Sequence, residues 1–364
     1  MDPYVLLGEE CSYRCAKVRA ALRFKQIYYV EKSATRNAKD IFQRLDGLDS
    51  FPVVITPDDD TWQDTSDILD ALEDAQPTPG IYPPTPVQWI ASLLWELYAE
   101  EFFCLPAAHY RWTYKECNAL ARRTLTAISG SESSGEQTGN EMDGMRTHWG
   151  ITDATGPKIE EHFAALMSAL NRHFRHHPFL LGDRISLADC ALFGPMYAHL
   201  YFDPVPKRIL LNDSIDVCTW LEATNRPDPS AMGDWLSDDQ LAATMLDTLD
   251  AIGQDAVPMI LDRFHAFETW ACVEGELGVE PPRWVGRYQS KLRGVDLEAS
   301  TSSSTAYSVQ RVKDAFDTLD AASQQKVLTV FGNTPWREVL TFEPLIRMEK
   351  HNFRLRISEM NCPA

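Results

Sequence analysis

The sequence lacks the two features that would place it in or across a membrane. Its first ten residues, MDPYVLLGEE, contain no basic segment followed by a long apolar run, as a secretory signal would. No stretch approaches the roughly 18 uninterrupted apolar residues that a spanning helix needs. From these absences we expect a soluble, cytoplasmic protein with no membrane partner.

Positive charge is also scarce. The chain has 34 Lys and Arg against 53 Asp and Glu, which gives a formal net charge of −19. An acidic surface repels phosphate backbones, and no basic stripe offsets this charge. We therefore expect no nucleic-acid partner.

The cysteines and histidines show no metal-binding spacing. Eight cysteines are dispersed without a CxxC pair, so we expect reduced thiols and no structural zinc. His173, His176 and His177 have helical i, i+3, i+4 spacing that could bind a metal. No acidic partner is evident, and a solvated helix end is the preferred interpretation.

At 364 residues the chain exceeds what one core usually serves, so two or three domains are expected. The first 75 residues alternate between strand and helix patterns in the order βαβ–α–ββα, which predicts a thioredoxin-like α/β domain over residues 1–80. Pro77, Pro79, Pro83 and Pro84 cannot continue a helix and mark a linker.

Helical periodicity dominates after the linker. It predicts an all-α domain over residues 84–230, with a polar, mobile loop at 130–156. Ser186 and Asp189 have the spacing of a capping box at a helix start. Residues 231–364 read as a mostly helical extension, packed on the helical domain, with a short hairpin at 282–296 and further helices at 305–331 and 334–350.

Ser12 follows the first predicted strand, at the start of the next helix. A hydroxyl there can donate a hydrogen bond to a bound thiolate, and the helix N-terminus stabilises the same charge. Lowering a thiol pKa by about two units requires roughly 2.7 kcal/mol, which is within reach of such a site. The alternative is that Ser12 only caps the helix.

Two further segments point to an extended peptide ligand. Phe51-Pro52 precedes the strand Val53-Val54-Ile55, and a cis proline there would leave the preceding backbone free to pair with a ligand. Asp64 and Thr65 precede the third helix, where they could cap it or hold the ammonium and carboxylate of a γ-glutamyl group.

Together these segments resemble the cytosolic glutathione transferases. The family's first helix begins with Ser and continues to a (Lys/Arg)-Val pair, matched by residues 12–18, and is followed by a cis-proline strand and an acidic residue with Ser or Thr. The second domain carries Leu-Gly-Asp-x-x-Ser-Leu-Ala-Asp, matched by residues 181–189. The resemblance covers about residues 3–230, and the extension has no counterpart in common members.

The resemblance implies a homodimeric detoxification enzyme that takes glutathione as co-substrate, needs no metal, and conjugates an apolar electrophile. The implied residues fall into three groups: catalytic Ser12, with Cys11 beside it; glutathione-binding Phe51, Pro52, Asp64, Thr65 and Lys39; and co-substrate-binding Tyr13, Tyr110 and Trp112. For Lys39 a solvated side chain, and for Tyr110 and Trp112 a place in the core, are the competing interpretations.

The sequence departs from the family in ways that leave other functions open. Cys11 adjoins the catalytic position and Cys15 lies one helical turn beyond Ser12, so a thiol-disulfide or deglutathionylating enzyme is an alternative. Tyr13 and Phe51 stand where proline and a smaller aliphatic residue are usual. A non-catalytic glutathione-binding or scaffold protein of the same fold is a further alternative.

Overall fold

The computed structural model describes residues 2–363, and its contacts divide the chain into two compact units. The first unit comprises the segment ending at Pro83, Ala107–Gly144 and Met167–Ser237. The second comprises Pro84–Pro106, Met145–Leu166 and the segment from Asp238 onward. These bounds differ from the domains 1–80, 84–230 and 231–364, which stay a prediction.

The first unit contains a four-stranded mixed sheet flanked by helices. Its first 83 residues form β1 (Tyr4–Gly8), α1 (Tyr13–Phe24), β2 (Tyr29–Ser33), α2 (Ala38–Arg44), β3 (Val53–Ile55), β4 (Thr61–Gln63) and α3 (Thr65–Ala75). The strand order is β2-β1-β3-β4, with β2 parallel to β1 and the other pairs antiparallel. The thioredoxin-like fold class is confirmed.

Helices follow the sheet, as the periodicity predicts. They are α4 (Pro86–Glu101), α5 (Cys104–Thr113), α6 (Lys115–Ser129), α7 (Glu132–Gly144), α8 (Gly156–Phe174), α9 (Leu187–Pro195), α10 (Pro204–Asp213) and α11 (Ile215–Asn225). A π-helical turn, Met196–Leu200, directly follows α9.

One segment of the first unit contradicts the sequence prediction. Residues 130–156 were expected to form a loop, yet Glu132–Gly144 is the helix α7. Its glycines allow it to lie against α6, because an added Cβ on Gly135 would stand 2.6 Å from the Thr126 Cα. Helix packing therefore overrides the low helix propensity of a Gly- and Ser-rich segment.

The capping box at the start of α9 is confirmed. The Ser186 N–H and Oγ–H both donate to Asp189 Oδ2, at 2.9 and 2.8 Å. Oδ1 accepts from the Leu180 N–H and from Trp220 Nε1, each at 3.0 Å. Four hydrogen bonds thus compensate the burial of this carboxylate, although burial still raises its pKa.

The second unit is built on one long helix. Beyond residue 238 the elements are α12 (Ala243–Glu274), β5 (Arg287–Leu292), β6 (Val295–Ser300), α13 (Ser303–Thr318), α14 (Ala321–Phe331), α15 (Trp336–Thr341), β7 (Ile346–His351) and β8 (Arg354–Met360). The predicted hairpin is present as β5–β6, shifted a few residues toward the C-terminus. The helix predicted over 334–350 is wrong after residue 341, where a second hairpin, β7–β8, begins.

The second unit also corrects the prediction that every cysteine is a reduced thiol. Cys272, near the end of α12, and Cys362, just after β8, form a disulfide that spans 90 residues of sequence. The other six cysteines are free thiols. Dispersed spacing could not reveal the bond, because only the fold brings the two side chains together.

No helix within residues 2–363 is both long and apolar enough to cross a membrane.

Candidate functional site

The sheet register brings three of the predicted site segments to one edge. Leu7 in β1 pairs with Val53 in β3, and Val53 pairs with Gln63 in β4. The loop after β1, the segment before β3 and the segment after β4 therefore meet at the same end of these strands. They contain Ser12, Phe51-Pro52 and Asp64-Thr65, respectively.

Ser12 occupies the N-cap position of α1. Its backbone is extended (φ −87°, ψ 123°), and its Oγ accepts a hydrogen bond from the Cys15 N–H at 3.4 Å. Ser12 therefore does cap α1, and it does so through its oxygen as an acceptor. The hydroxyl proton is not used by that bond, so Ser12 can cap the helix and donate to a ligand at once.

The two neighbouring thiols are poorly suited to nucleophilic chemistry. Cys15 is fully buried and accepts from the Glu9 N–H at 3.4 Å, and burial raises its pKa to about 11. Burial also raises the pKa of Cys11, although the nearby Arg111 charge opposes the shift. Both thiols are thus protonated at neutral pH, whereas thiol exchange requires the thiolate.

The Phe51-Pro52 peptide bond is cis, as the sequence predicts. Pro52 is buried while the Phe51 side chain is 37% exposed. Among residues 2–363, no backbone group pairs with the Phe51 N–H or C=O. An open pair of backbone groups next to a strand is what an extended peptide needs for main-chain recognition.

Asp64 and Thr65 begin α3 with an unusual backbone. Asp64 is its N-cap, has φ 75° and ψ 136°, and accepts from the Ser66 N–H through Oδ1 at 3.2 Å. A positive φ is uncommon for a non-glycine residue, and such strain concentrates at ligand sites. Thr65 follows as the first, buried residue of the helix.

Lys17 belongs to α1 and to the motif at residues 12–18, and its side chain reaches the N-terminus of α3. Although its side chain is almost fully buried, its Nζ donates to Thr65 Oγ1 and Ser66 Oγ, each at 3.3 Å. It thereby joins α1 to the N-terminus of α3. Its position five residues after Ser12 in the motif was the available signal.

A buried ion pair holds the loop that carries Ser12. Arg111 binds Asp203 with two hydrogen bonds, Nε to Oδ2 at 2.8 Å and Nη2 to Oδ1 at 3.1 Å. The same guanidinium donates to the carbonyls of Ala198, at 2.8 Å, and Cys11, at 3.3 Å. Sequence reasoning missed this pair, because the partners are 92 residues apart and neither belongs to a motif.

The remaining predicted residues lie in mixed environments. Lys39 is an exposed residue of α2, as expected for a solvated lysine. Tyr13 is half-buried, with its ring edge-on to His199 at 5.5 Å. Tyr110 and Trp112 are only 2% and 7% exposed, which favours their core interpretation. Their role toward a co-substrate stays a prediction.

Within residues 2–363, no group of three or more His, Cys, Asp or Glu side chains is arranged to hold a metal ion. In the histidine run, His173 is buried with Nε2 3.0 Å from the Phe179 carbonyl, and burial lowers its pKa to about 4. Its ring stacks on His177 at 5.0 Å. The run is therefore a packed helix end, and the interpretation of a solvated helix end is wrong for His173, although it holds for the exposed His176.

Comparison with known families gives two matches along the chain. Residues 6–80 match the glutathione S-transferase N-terminal domain, and residues 153–223 match the glutathione S-transferase C-terminal domain. No curated protein is similar enough in sequence to count as a match.

The solved structures that match this chain are distant in sequence. The β-etherase LigF from Sphingobium sp. strain SYK-6 is 17% identical, with 63% of this chain and 98% of that chain covered and a TM-score of 0.47. A glutathione S-transferase from Rhodospirillum rubrum F11 is 17% identical, with 67% and 99% covered and a TM-score of 0.41. FzlA from C. crescentus is 18% identical, with 68% and 100% covered and a TM-score of 0.41.

Proposed function

Because the chain belongs to the glutathione S-transferase superfamily through residues 6–80 and 153–223, we propose that it binds glutathione and activates its thiol. The sulfur would attack an electrophilic carbon of an apolar small molecule. The observation that best supports this proposal is the strand register, which brings Ser12, Phe51-Pro52 and Asp64-Thr65 to one sheet edge.

In this proposal each segment meets a different part of the tripeptide. The γ-glutamyl group lies at the N-terminus of α3, where Asp64 faces its ammonium and backbone N–H groups face its carboxylate. The cysteinyl backbone pairs with the free N–H and C=O of Phe51. The thiol then lies toward Ser12, at the N-terminus of α1.

Ser12 is needed for only one hydrogen bond in this reaction. Its O–H donates to the sulfur and stabilises the thiolate over the thiol, while the dipole of α1 acts in the same direction. The thiolate electron pair forms the new S–C bond, and the electrophile either expels a leaving group or takes up a proton. No thiol of the protein is needed, which agrees with the raised pKa values of Cys11 and Cys15.

A Ser12 variant series tests the proposal. Ser12→Ala should lower conjugation of a generic electrophile by about 10-fold or more, since a hydrogen bond to a charged group contributes about 1.5–3 kcal/mol. Ser12→Asp keeps an N-capping oxygen but has no proton to donate at neutral pH, so it should lose at least as much activity as alanine while losing less stability. Ser12→Thr should retain most activity.

Two results would replace this proposal with an alternative. If Cys11→Ala abolishes turnover, Ser12→Ala does not, and mass spectrometry traps a glutathione–Cys11 disulfide, the chain is a thiol-exchange enzyme. If glutathione binds saturably but the wild-type protein does not raise the rate of conjugation above the uncatalysed rate with any electrophile tried, the chain is a non-catalytic binding protein.

A further inference from the structure

A cluster of exposed apolar side chains lies at the C-terminal end of α12, in the second unit. Val273 is 79% exposed, and Leu277 and Val279, just beyond the helix, are 61% and 48% exposed. The partly exposed Trp270 precedes Val273 by three residues, so the two lie on neighbouring positions of the helix surface. We call these four residues the α12 patch. Single exposed apolar residues are ordinary, whereas a cluster of them indicates an interaction surface.

The α12 patch is fixed to the C-terminal hairpin. The disulfide between Cys272 and Cys362 joins the last turn of α12 to the end of β8. The Gly278 N–H donates to the Ile357 carbonyl at 2.8 Å, and the Ile357 N–H donates to the Val279 carbonyl at 3.3 Å. Because the helix end and the segment after it are both held against β8, the patch has little conformational freedom to lose when a partner binds.

Acidic side chains flank the patch. Residues 262–280 include five carboxylates and one arginine. That arginine, Arg263, lies 3.2 Å from the buried Glu101 and is therefore neutralised. Three of the five carboxylates have no ion-pair partner within residues 2–363: Asp262, Glu274 and Glu276. The other two are paired, Glu268 with His265 at 3.1 Å and Glu280 with Arg354 at 3.0 Å.

The neighbouring basic residues do not offset this charge. Arg356 of β8 lies opposite Glu349 of β7 in the hairpin register. Arg283, the next basic residue along the chain, has its guanidinium 5.6 Å from the centre of the Trp284 ring. The α12 patch is thus an apolar surface with a net negative border.

The negative border determines which partner fits. A second copy of this chain, related by a two-fold axis, would place the same carboxylates against each other, because such an interface uses one surface twice. An anionic lipid surface would be repelled for the same reason. A partner that combines apolar side chains with Lys or Arg would cover the apolar centre and neutralise the border.

From these observations we propose that the α12 patch binds a basic amphipathic helix of another protein. The apolar face of that helix would cover Trp270, Val273 and Leu277, and its Lys or Arg side chains would pair with the flanking carboxylates. Trp270 is the expected anchor, since tryptophan is enriched among the residues that dominate binding energy. The surface belongs to the second unit, and its use requires no bound glutathione.

The test is fluorescence anisotropy of a labelled amphipathic helix of Leu and Lys, about 18 residues long, titrated with the full chain. This peptide should bind saturably, and a peptide with Glu in place of every Lys should bind at least 10-fold more weakly. Val273→Ser with Leu277→Ser should weaken the Leu/Lys peptide about 10-fold or more. The control pair Leu211→Ser with Ile215→Ser, also exposed apolar residues but in the first unit, should leave the affinity unchanged.

The border is tested by removing two charges. Glu274→Gln with Glu276→Gln should weaken the Leu/Lys peptide about 5-fold and reduce the effect of salt on binding. Asp58→Asn with Asp60→Asn removes the same charge at exposed positions of the first unit, so it should change the affinity little.

Several outcomes would overturn the proposal. They are absence of saturable binding, equal affinity for the two peptides, no effect of Val273→Ser with Leu277→Ser, or equal losses in the control pairs. A dimer of the chain alone, seen by sedimentation and abolished by the same two substitutions, would assign the patch to a second copy. Binding to phosphatidylserine vesicles that those substitutions abolish would assign it to a membrane surface.

Discussion

The sheet edge of the first unit and the core of the second unit use polar groups in opposite ways. At the sheet edge of the first unit, Ser12 is half-buried, the Phe51 backbone is unpaired and Asp64 has a strained φ of 75°. In the second unit, polar side chains are buried and bound to one another. Groups left available suit ligand binding, whereas fully satisfied groups rigidify a core.

A chain of four side chains illustrates the second arrangement. Tyr98 Oη lies 2.6 Å from His162 Nε2, and His162 Nδ1 lies 2.8 Å from Asp255 Oδ2. Arg293 Nε donates to the same carboxylate oxygen at 2.8 Å. Burial lowers the pKa of His162, whereas its partners lower the pKa of Asp255.

The largest effect is expected when this chain is broken at its centre. Asp255→Ala leaves Arg293 and His162 without their shared acceptor, so we expect a loss of about 3–5 kcal/mol in the free energy of unfolding. Urea titration of the full chain measures it. Glu161→Ala, which removes the exposed Lys158–Glu161 pair, is the matched control and should cost less than about 1 kcal/mol. Equal losses in the two variants would show that the network is not stabilising.

Removal of the disulfide should give the next largest loss in the free energy of unfolding. Cys272→Ser with Cys362→Ser removes a link closing a 90-residue loop, and we expect a loss of about 2–4 kcal/mol. The buried free thiol Cys190 offers the control, since Cys190→Ala breaks no cross-link. Unfolding with and without reductant should differ for the wild type and not for the double variant. A wild type unaffected by reductant would mean that the cross-link contributes no stability.

In the first unit, the lowered pKa of His173 predicts that the free energy of unfolding depends on pH. The effect should be similar to that of the disulfide or smaller. Its pKa falls from an ordinary 6.5 to about 4 in the folded state, so the unfolded chain binds the proton more tightly. Stability is therefore complete above pH 6.5 and is lost as the pH falls toward 4, by up to ~3 kcal/mol. His173→Gln should flatten this slope, while exposed His176→Gln should not. An unchanged slope in His173→Gln would contradict the assignment.

The units also differ in how far the sequence predicts them. In the first, strand alternation, turn residues and the Ser186–Asp189 capping box are local signals, so order and fold class follow from short windows. The Phe51-Pro52 and Asp64-Thr65 segments can likewise be recognised from the local sequence. The Arg111–Asp203 pair, in which Arg111 also donates to the Cys11 carbonyl, has no such local signal, because it forms only when distant segments come together.

Prediction failed most in the second unit, where long-range contacts decide the structure. Most of β7 lies within the helix predicted over 334–350, yet the Leu345 N–H donates to Glu268 Oε1 of α12 and fixes the chain just before β7. The Cys272–Cys362 bond is likewise invisible without the fold. Tertiary context overrides weak local propensity in both cases.

The most direct test of the proposed glutathione site is calorimetric titration of the full chain with reduced glutathione, for the wild type and Asp64→Asn. Asparagine keeps an N-capping side chain but not the charge that would face the γ-glutamyl ammonium. We predict saturable binding by the wild type and about 10-fold weaker binding by the variant, with thermal stability little changed. No saturable heat at millimolar glutathione, or equal affinity in the two proteins, would contradict the account.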